Sequence, residues 1–191
     1  MNRRRSIIGL LIGLSLATGH ALAQAPKSLD LFGVALKGAS REALRDVFKR
    51  NGLQALREDN RYWVDTYNAK GVLEGASELA SGYVSATDKF AYAEYTFPTF
   101  MDEELVAKVI QMVATKYGKP SSQSGSIRLG PVSAKWQLAQ GMQVEVYRGW
   151  PDTTTHLKLL DPAAYRLMQA EIDKERNAQA TQKARAQSNA F

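Results

Sequence analysis

The chain has 191 residues and no cysteine, with 25 Lys and Arg against 19 Asp and Glu and a formal net charge of +6. The absence of cysteine excludes disulfide bonds, a thiol nucleophile, a thiolate metal site and a lipid anchor on cysteine. Three basic residues lie in the first 23 positions and four lie beyond position 173, so the central body is close to neutral. Because a nucleic-acid-binding protein needs a concentrated cationic surface, that class is not expected.

Residues 1–23 have the pattern of a secretory signal peptide. Arginines at positions 3–5 precede an apolar run over residues 7–17, and Ala-Leu-Ala at 21–23 forms a small-x-small ending. We expect cleavage after Ala23 and export to the periplasm, by general secretion rather than the twin-arginine route, since Arg-rich starts are common in ordinary signals. The apolar run is too short to span a bilayer and no second one follows, so no transmembrane span is predicted.

Residues 24–37 read as a polar lead-in, and residues 38–98 as a helix followed by three strands. Ser40 is a good N-cap, an apolar stripe follows it, and Asn51-Gly52 supplies a left-handed stop. Residues 61–67 and 90–97 are predicted to be strands because they are rich in aromatic and β-branched residues, and the strand pattern of residues 78–85 between them is weaker. Turn sequences separate the three segments.

Residues 99–160 predict the same order of elements again. The apolar spacing over 100–120 predicts a helix, with three acidic residues at 102–104 in its first turn and Gly118 near its end. After a Ser/Gly-rich loop, strands are predicted at 132–138, 142–147 and 153–160. Residues 161–175 predict a C-terminal helix capped by Asp161, and 176–191 a flexible polar tail.

The predicted fold class is α+β: two tandem helix-plus-three-strand antiparallel units packed together, followed by a C-terminal helix. Short turns between strands favour antiparallel pairing, with the helix of each unit on one face. In strand 90–97, the small residues Ala91 and Ala93 predict the face that lies under a helix. This places Phe90, Tyr92 and Glu94 on the outward face.

Two short motifs resemble known families. Residues 38–41 (Gly-Ala-Ser-Arg), followed by Leu44 and Val47, are similar to a helix opening found in two related fold families. These are the accessory lipoproteins of β-barrel assembly in the bacterial outer membrane and the β-lactamase-inhibitor proteins. Residues 116–120 (Lys-Tyr-Gly-Lys-Pro), before a strand with Trp136, are also similar to small exported bacterial domains. The resemblance implies the tandem helix-plus-strands fold. The chain lacks the cysteine of the first family and the disulfides of the second, so it carries over neither activity.

Candidate catalytic and metal-binding residues are few. His156 is the one histidine beyond the signal sequence, and with no second histidine and no cysteine it predicts neither a zinc site nor a cofactor. Glu94 and Glu145 lie in corresponding strands of the two predicted units. They are therefore the candidate pair for a carboxylate-dependent hydrolase. Such a pair needs carboxyl groups roughly 5 to 9 Å apart in a cleft. Paired or solvated strand charges are the favoured interpretation.

The aromatic residues are too many for one face of so small a core. Trp150 lies in a turn beside Arg148 and Pro151, where amphipathic interface residues are often found, but the favoured interpretation is that its side chain folds back on the sheet edge. The predicted partner-binding residues are Trp63, Tyr67, Tyr92, Glu94, Arg148 and Trp150. The leading hypothesis is an exported, non-enzymatic periplasmic binding module for a protein or peptide partner, inhibitor-like or adaptor-like. The alternatives are a cell-envelope assembly or quality-control accessory factor, and the hydrolase; the oligomeric state is open.

Overall fold

The computed structural model describes residues 27–98, 102, 104–128, 130–151 and 154–188. The predicted signal peptide, the start of the lead-in, the beginning of the helix predicted at 100–120, and Thr153 lie outside the described residues. Within these ranges, no helix combines the length and the apolar character needed to cross a membrane.

The α+β class is confirmed. The strands of the described ranges are β1 (Asp30–Leu31), β2 (Val34–Ala35), β3 (Gln54–Arg57), β4 (Val64–Asn68), β5 (Glu78–Val84), β6 (Lys89–Phe97), β7 (Ser122–Gly125), β8 (Val132–Gln137), β9 (Gln143–Arg148) and β10 (Thr155–Leu160). The helices of the same ranges are α1 (Arg41–Arg50), α2 (Leu105–Tyr117) and α3 (Pro162–Ser188), with one 3-10 turn at Ala139–Gly141. Among the described elements, α1 and α2 each precede four strands rather than the three predicted.

The described strands β3 to β10 form one antiparallel sheet in the order β3-β4-β5-β6-β10-β9-β8-β7. The last strand of each group, β6 and β10, pair with each other at the centre, with Phe97 opposite Thr155 and Tyr92 opposite Leu160. This pairing joins a first half (β3–β6) and a second half (β7–β10) into a continuous surface. Strands β1 and β2 form a separate short hairpin.

Helices α1 and α2 pack on one face of the sheet, here called the inner face, and enclose the main core. Helix α1 begins where the predicted cap acts, because Ser40 Oγ accepts a hydrogen bond from the Ala43 amide at 3.3 Å. Helix α2 buries Val106, Val109 and Val113 against the same core. The apolar spacing read from the sequence is therefore the spacing that packs on the sheet.

Helix α3 packs on the opposite, outer face, over β5 and β6. Its cap is the predicted one, since Asp161 Oδ1 accepts hydrogen bonds from the Ala163 and Ala164 amides at 3.1 and 3.2 Å. Met168 is buried in a small second core beneath the helix. The helix continues to Ser188, through most of the segment predicted to be a flexible tail. The reason is composition, because Ala, Gln, Lys, Arg and Glu all favour helix even without packing.

A β-bulge in β6 corrects the predicted orientation of Phe90. Gly82 pairs with Tyr92 but Tyr83 pairs with Phe90, so Ala91 is an extra residue in the strand. Phe90 consequently turns into the main core, whereas Ala91 lies under α3. Position 82 has no room for a larger residue, because an added methyl group there would overlap the ring of Tyr92.

Candidate functional site

The outer face of the second half differs from that of the first. Helix α3 packs on β5 and β6 and reaches the border of β10, where Lys158 Nζ lies 4.6 Å from the Tyr165 ring centre. Among the described helices, none packs extensively on the outer side of β8 and β9. Burial alternates along β8, β9 and β10, so every second side chain points outward. We call the resulting surface the open face; its outward residues include Ser133, Lys135, Glu145, Tyr147, His156 and Lys158, with Glu94 of β6 at its border.

A row of alternating charges crosses the open face. Glu94 is opposite Lys158, Lys158 is opposite Glu145, and Glu145 is opposite Lys135. Lys158 Nζ lies 3.4 Å from Glu94 Oε2, and Lys135 Nζ lies 3.3 Å from Glu145 Oε1. Ser133 also donates a hydrogen bond to Glu145 Oε1 at 2.8 Å. The two glutamates share one face as the strand alternation predicts, but each has its own lysine.

Three side chains converge on Glu94. Tyr147 donates a hydrogen bond from its hydroxyl to Glu94 Oε2 at 3.2 Å, and its ring stacks on His156 with centroids 4.8 Å apart and planes at 15°. His156 Nδ1 lies 3.4 Å from Glu94 Oε1, and Lys158 approaches the other oxygen. The cluster of Glu94, Tyr147, His156 and Lys158 is therefore ordered by contacts among its own members.

The electrostatics of this cluster keep Glu94 ionised. Burial alone would raise its pKa, but the neighbouring His156, the charge of Lys158 and the Tyr147 hydroxyl together lower the pKa of Glu94 below its ordinary value. Burial and the negative charge of Glu94 raise the pKa of Tyr147. A glycosidase-type general acid needs a carboxyl pKa shifted upward. The direction at Glu94 is the opposite one and suits a paired surface charge.

Trp150 lies at one end of the open face. It sits in the turn between β9 and β10, two and three residues beyond Arg148 and Tyr147, and 58% of it is exposed. An open depression of about 360 Å³ is formed by β7, β8 and β9 at the same end of these strands. It is lined by Ser124, Gly125, Pro131, Val132, Ser133, Glu145, Tyr147 and Arg148. A largely exposed indole is suited to contact with another molecule, because it offers a large apolar surface and one hydrogen-bond donor.

Two predicted binding residues are structural instead. Tyr67 is only 1% exposed, because it packs edge-on against Phe48 in the main core with ring centroids 5.0 Å apart. Arg148 is 6% exposed, and its guanidinium donates hydrogen bonds to the carbonyl oxygens of Ser126, Ile127 and Gly130 at 2.9 to 3.1 Å. Arg148 thereby organises the loop between β7 and β8. Neither side chain is available to a partner in this structure.

The other predicted residues border the open face or lie beneath α3. Trp63 is covered by α3 and donates a hydrogen bond from Nε1 to Glu171 Oε2 at 3.0 Å. Tyr92 packs edge-on against Tyr165 of α3 at 5.4 Å, and Lys158 Nζ lies 5.0 Å from the Tyr92 ring centre. Tyr92 and Glu94 therefore mark the boundary between α3 and the open face.

Tyr147, His156 and Lys158 were not predicted to form one cluster. Tyr147 and His156 pair directly across the β9–β10 hairpin, equally far from a turn centred near Pro151. The equal distance of the two residues from the turn could have predicted their contact, since residues equidistant from a hairpin turn lie opposite each other. The contact of Glu94 with Tyr147, His156 and Lys158 could not be predicted from the sequence, because it depends on the pairing of β6 with β10 across the two halves of the sheet.

The comparisons with known proteins give a distant structural similarity. No protein-family model matches the sequence, and no curated protein matches it. The chain is similar to the crystal structure of a DUF4309 family protein, YjgB, from Bacillus subtilis. The two have 14% sequence identity, with 70% of this chain and 86% of that chain covered and a TM-score of 0.42.

Proposed function

We propose that the protein is an exported, non-enzymatic binding module of the periplasm, and that a protein or peptide partner binds its open face. The observation that carries this proposal is the exposed Trp150 beside an outer sheet surface on which no described helix packs extensively. Tryptophan is among the residues that contribute most to protein interfaces when a partner buries them. Export rests on the signal-peptide pattern of residues 1–23.

The order already present in the open face supports binding. Tyr147, His156, Glu94 and Lys158 restrain one another through ring stacking, a hydrogen bond, the close approach of His156 to Glu94 and the ion pair between Lys158 and Glu94. Side chains that are ordered before association lose less conformational entropy when a partner arrives. The surface therefore offers polar contacts at low entropic cost around one large apolar contact.

The charge row indicates the kind of partner. Glu94, Lys158, Glu145 and Lys135 alternate in sign, so the row favours a partner segment with both acidic and basic residues rather than one of a single sign. Such a segment would place an apolar side chain against Trp150. Specificity then comes from the order of charges, and affinity mainly from burial of the indole.

Site-specific photo-crosslinking in the native host tests the proposal on the full chain. Benzoylphenylalanine replaces Trp150 or Lys135 on the open face, and replaces Tyr62 as the matched control. Tyr62 is also an exposed aromatic, at 48%, but it precedes β4 in the other half of the sheet. We expect one protein adduct from positions 150 and 135 and none from 62. Equal adducts from all three positions, or none from 150 and 135, would overturn the proposal.

The adduct then identifies a purified partner for calorimetry. We expect Trp150→Ala to weaken its binding by about tenfold or more, as loss of a central interface tryptophan does, and Tyr62→Ala to leave the dissociation constant unchanged. Osmotic-shock fractionation of the same cells checks export. The intact mass of the released protein checks cleavage after Ala23.

A further inference from the structure

A cavity of about 310 Å³ lies on the inner face, on the side of the sheet opposite to the open face. It sits at the seam between the two halves of the sheet, where Tyr95 of β6 is opposite Leu157 of β10. Helix α1 packs against the first half and α2 against the second, and the cavity lies between α2 and the hairpin of β1 and β2. The cavity therefore arises where two halves with separate helices meet.

The walls of the cavity are mainly apolar. Val144, Leu157 and Leu159 form a buried floor, and Val113 of α2 forms one wall. An apolar cavity of about 150 Å³ holds one benzene molecule, so twice that volume accommodates roughly twelve non-hydrogen atoms. Well-packed cores rarely leave such space, and the volume is at the lower end of the range for small-molecule sites. Because water finds few hydrogen-bond partners on these walls, an apolar molecule displaces it favourably.

The charged groups at the mouth of the cavity neutralise each other. Among the described lining residues, the charged side chains are Asp30 of β1 and Lys116 of α2. Lys116 Nζ lies 2.7 Å from Asp30 Oδ1 and donates a hydrogen bond to the Asp30 carbonyl oxygen at 3.2 Å. A charged ligand would have to displace one partner of this pair and place its own charge beside apolar walls, which is unfavourable. An uncharged ligand leaves the pair intact.

The hairpin over the cavity holds a strained residue. Phe32 has φ of +51° and is followed by Gly33 with φ of +78°, and these two residues connect β1 to β2. Two-residue hairpin turns require such angles, but glycine and asparagine normally supply them, and a bulky residue there is strained. Phe32 nevertheless lines the cavity and contacts Phe48 of α1 with ring centroids 6.3 Å apart. The strain is consistent with a side chain retained for what it covers.

We propose that this cavity binds an uncharged apolar molecule of about ten to twelve non-hydrogen atoms, such as a medium-chain alcohol or hydrocarbon. The hydrocarbon part lies on the floor formed by β6, β9 and β10, between Val113 and Phe32. A hydroxyl group of such a molecule lies at the mouth, where it meets water. This site is on the side of the sheet opposite to the open face, so it stands or falls independently of the partner-binding proposal.

Calorimetric titration of the protein purified from its host tests the inference with three ten-carbon probes below their micellar concentrations. The uncharged probe is 1-decanol, the anionic one decanoate and the cationic one decyltrimethylammonium. We expect saturable one-to-one binding of decanol, and binding of each ion weaker by about tenfold or more, because neither ion finds a free counter-ion at the mouth. Failure of decanol to saturate, or an ion that binds as tightly as decanol, would overturn the inference.

Variants then locate the site. Val113→Phe fills the cavity from the α2 wall and should weaken decanol binding by about tenfold or more, and urea unfolding checks that the variant is folded. Gln111→Phe is the matched control, because Gln111 is exposed on the same helix and outside the cavity lining. Met112→Trp, at the half-exposed rim, is a second blocking variant that leaves the core packing unchanged. Decanol binding that is equal in the blocking variants and the control would overturn the inference.

Discussion

Trp63 Nε1 donates a hydrogen bond to Glu171 Oε2 at 3.0 Å, across 108 positions of the chain, and this contact attaches α3 to the sheet. The same carboxylate accepts hydrogen bonds from the Ser85 and Ala86 amides at 2.7 and 3.0 Å. Glu171 therefore satisfies three donors in the outer layer. The turn after β5 and the C-terminal helix meet at this one side chain.

Glu171→Ala should destabilise the protein by about 2 to 4 kcal/mol, because it removes three charge-assisted hydrogen bonds and leaves the Trp63 indole N–H without its partner. Urea unfolding followed by tryptophan fluorescence measures the change. Glu175→Ala is the control on the same helix, since Glu175 is exposed and its carboxylate accepts a hydrogen bond from Gln179, one turn along the same helix. The control should change stability by less than about 0.5 kcal/mol. Equal losses of unfolding free energy in the two variants would mean that Glu171 does not stabilise the packing of α3 on the sheet.

The buried ionic contacts of Asp65 predict that the free energy of unfolding decreases at acid pH. It is fully buried and accepts hydrogen bonds from Arg41 at 2.6 and 3.0 Å and from Arg45 at 2.8 and 2.9 Å. Burial alone would raise its pKa, but the two arginines lower the pKa of Asp65 below its ordinary value. A lowered folded-state pKa means that the stabilisation is present above the unfolded value of about 3.9 and is lost as the pH falls through the folded value.

The measurement compares wild type with Asp65→Asn by urea unfolding from pH 7 to pH 2. At pH 7 we expect the variant to be less stable by about 3 to 5 kcal/mol, because two buried or half-buried arginines lose their counter-ion. As the pH falls below about 4 the difference should shrink, because Asp65 binds a proton in the unfolded chain while it is still ionised in the folded protein, and the remaining difference is lost as the pH falls through the lower folded-state pKa. Comparing the two proteins cancels the titration of Glu94. A difference that stays constant to pH 2 would contradict the assigned charge state.

The sequence predicted elements where local chemistry determines them and missed those that depend on distant pairing. Helix α1 begins at its Ser40 cap and ends at Asn51 as expected. The edge strands β3 and β7 were missed because all their residues are exposed, so no alternation of burial marks them. Phe90 was placed outward because a bulge reverses the alternation within one strand. A bulge reflects the fit between neighbouring strands, which one strand's pattern does not record.

For the candidate site as well, local sequence predicts some features and contacts between distant residues determine the others. Turn composition favoured a Trp150 folded back on the sheet edge, whereas the structure leaves it exposed. The outward positions of Glu94 and Glu145 follow from strand parity. The burial of Tyr67 and Arg148 does not, because each depends on a partner far along the chain. An aromatic or arginine near a turn has the same local pattern whether it faces a partner protein or its own core.

The charge state of Glu94 gives the last prediction. Its pKa is lowered, and Lys158 supplies the nearest positive charge, 3.4 Å from Oε2. Lys158→Met should therefore raise the Glu94 pKa, because burial of the carboxyl group then acts with one opposing charge removed. Carbon-detected NMR titration of the side-chain carboxyl group measures the Glu94 pKa directly.

Lys135→Met is the matched control: Lys135 pairs with Glu145 in the same row, so its loss should leave the Glu94 pKa unchanged. A Glu94 pKa well above 4.5 in the wild type would contradict the paired-charge interpretation and favour a general acid at the open face. A value below 4.5 that rises in Lys158→Met alone means that the row of lysines and glutamates is a surface of paired charges, the state in which the binding proposal needs it.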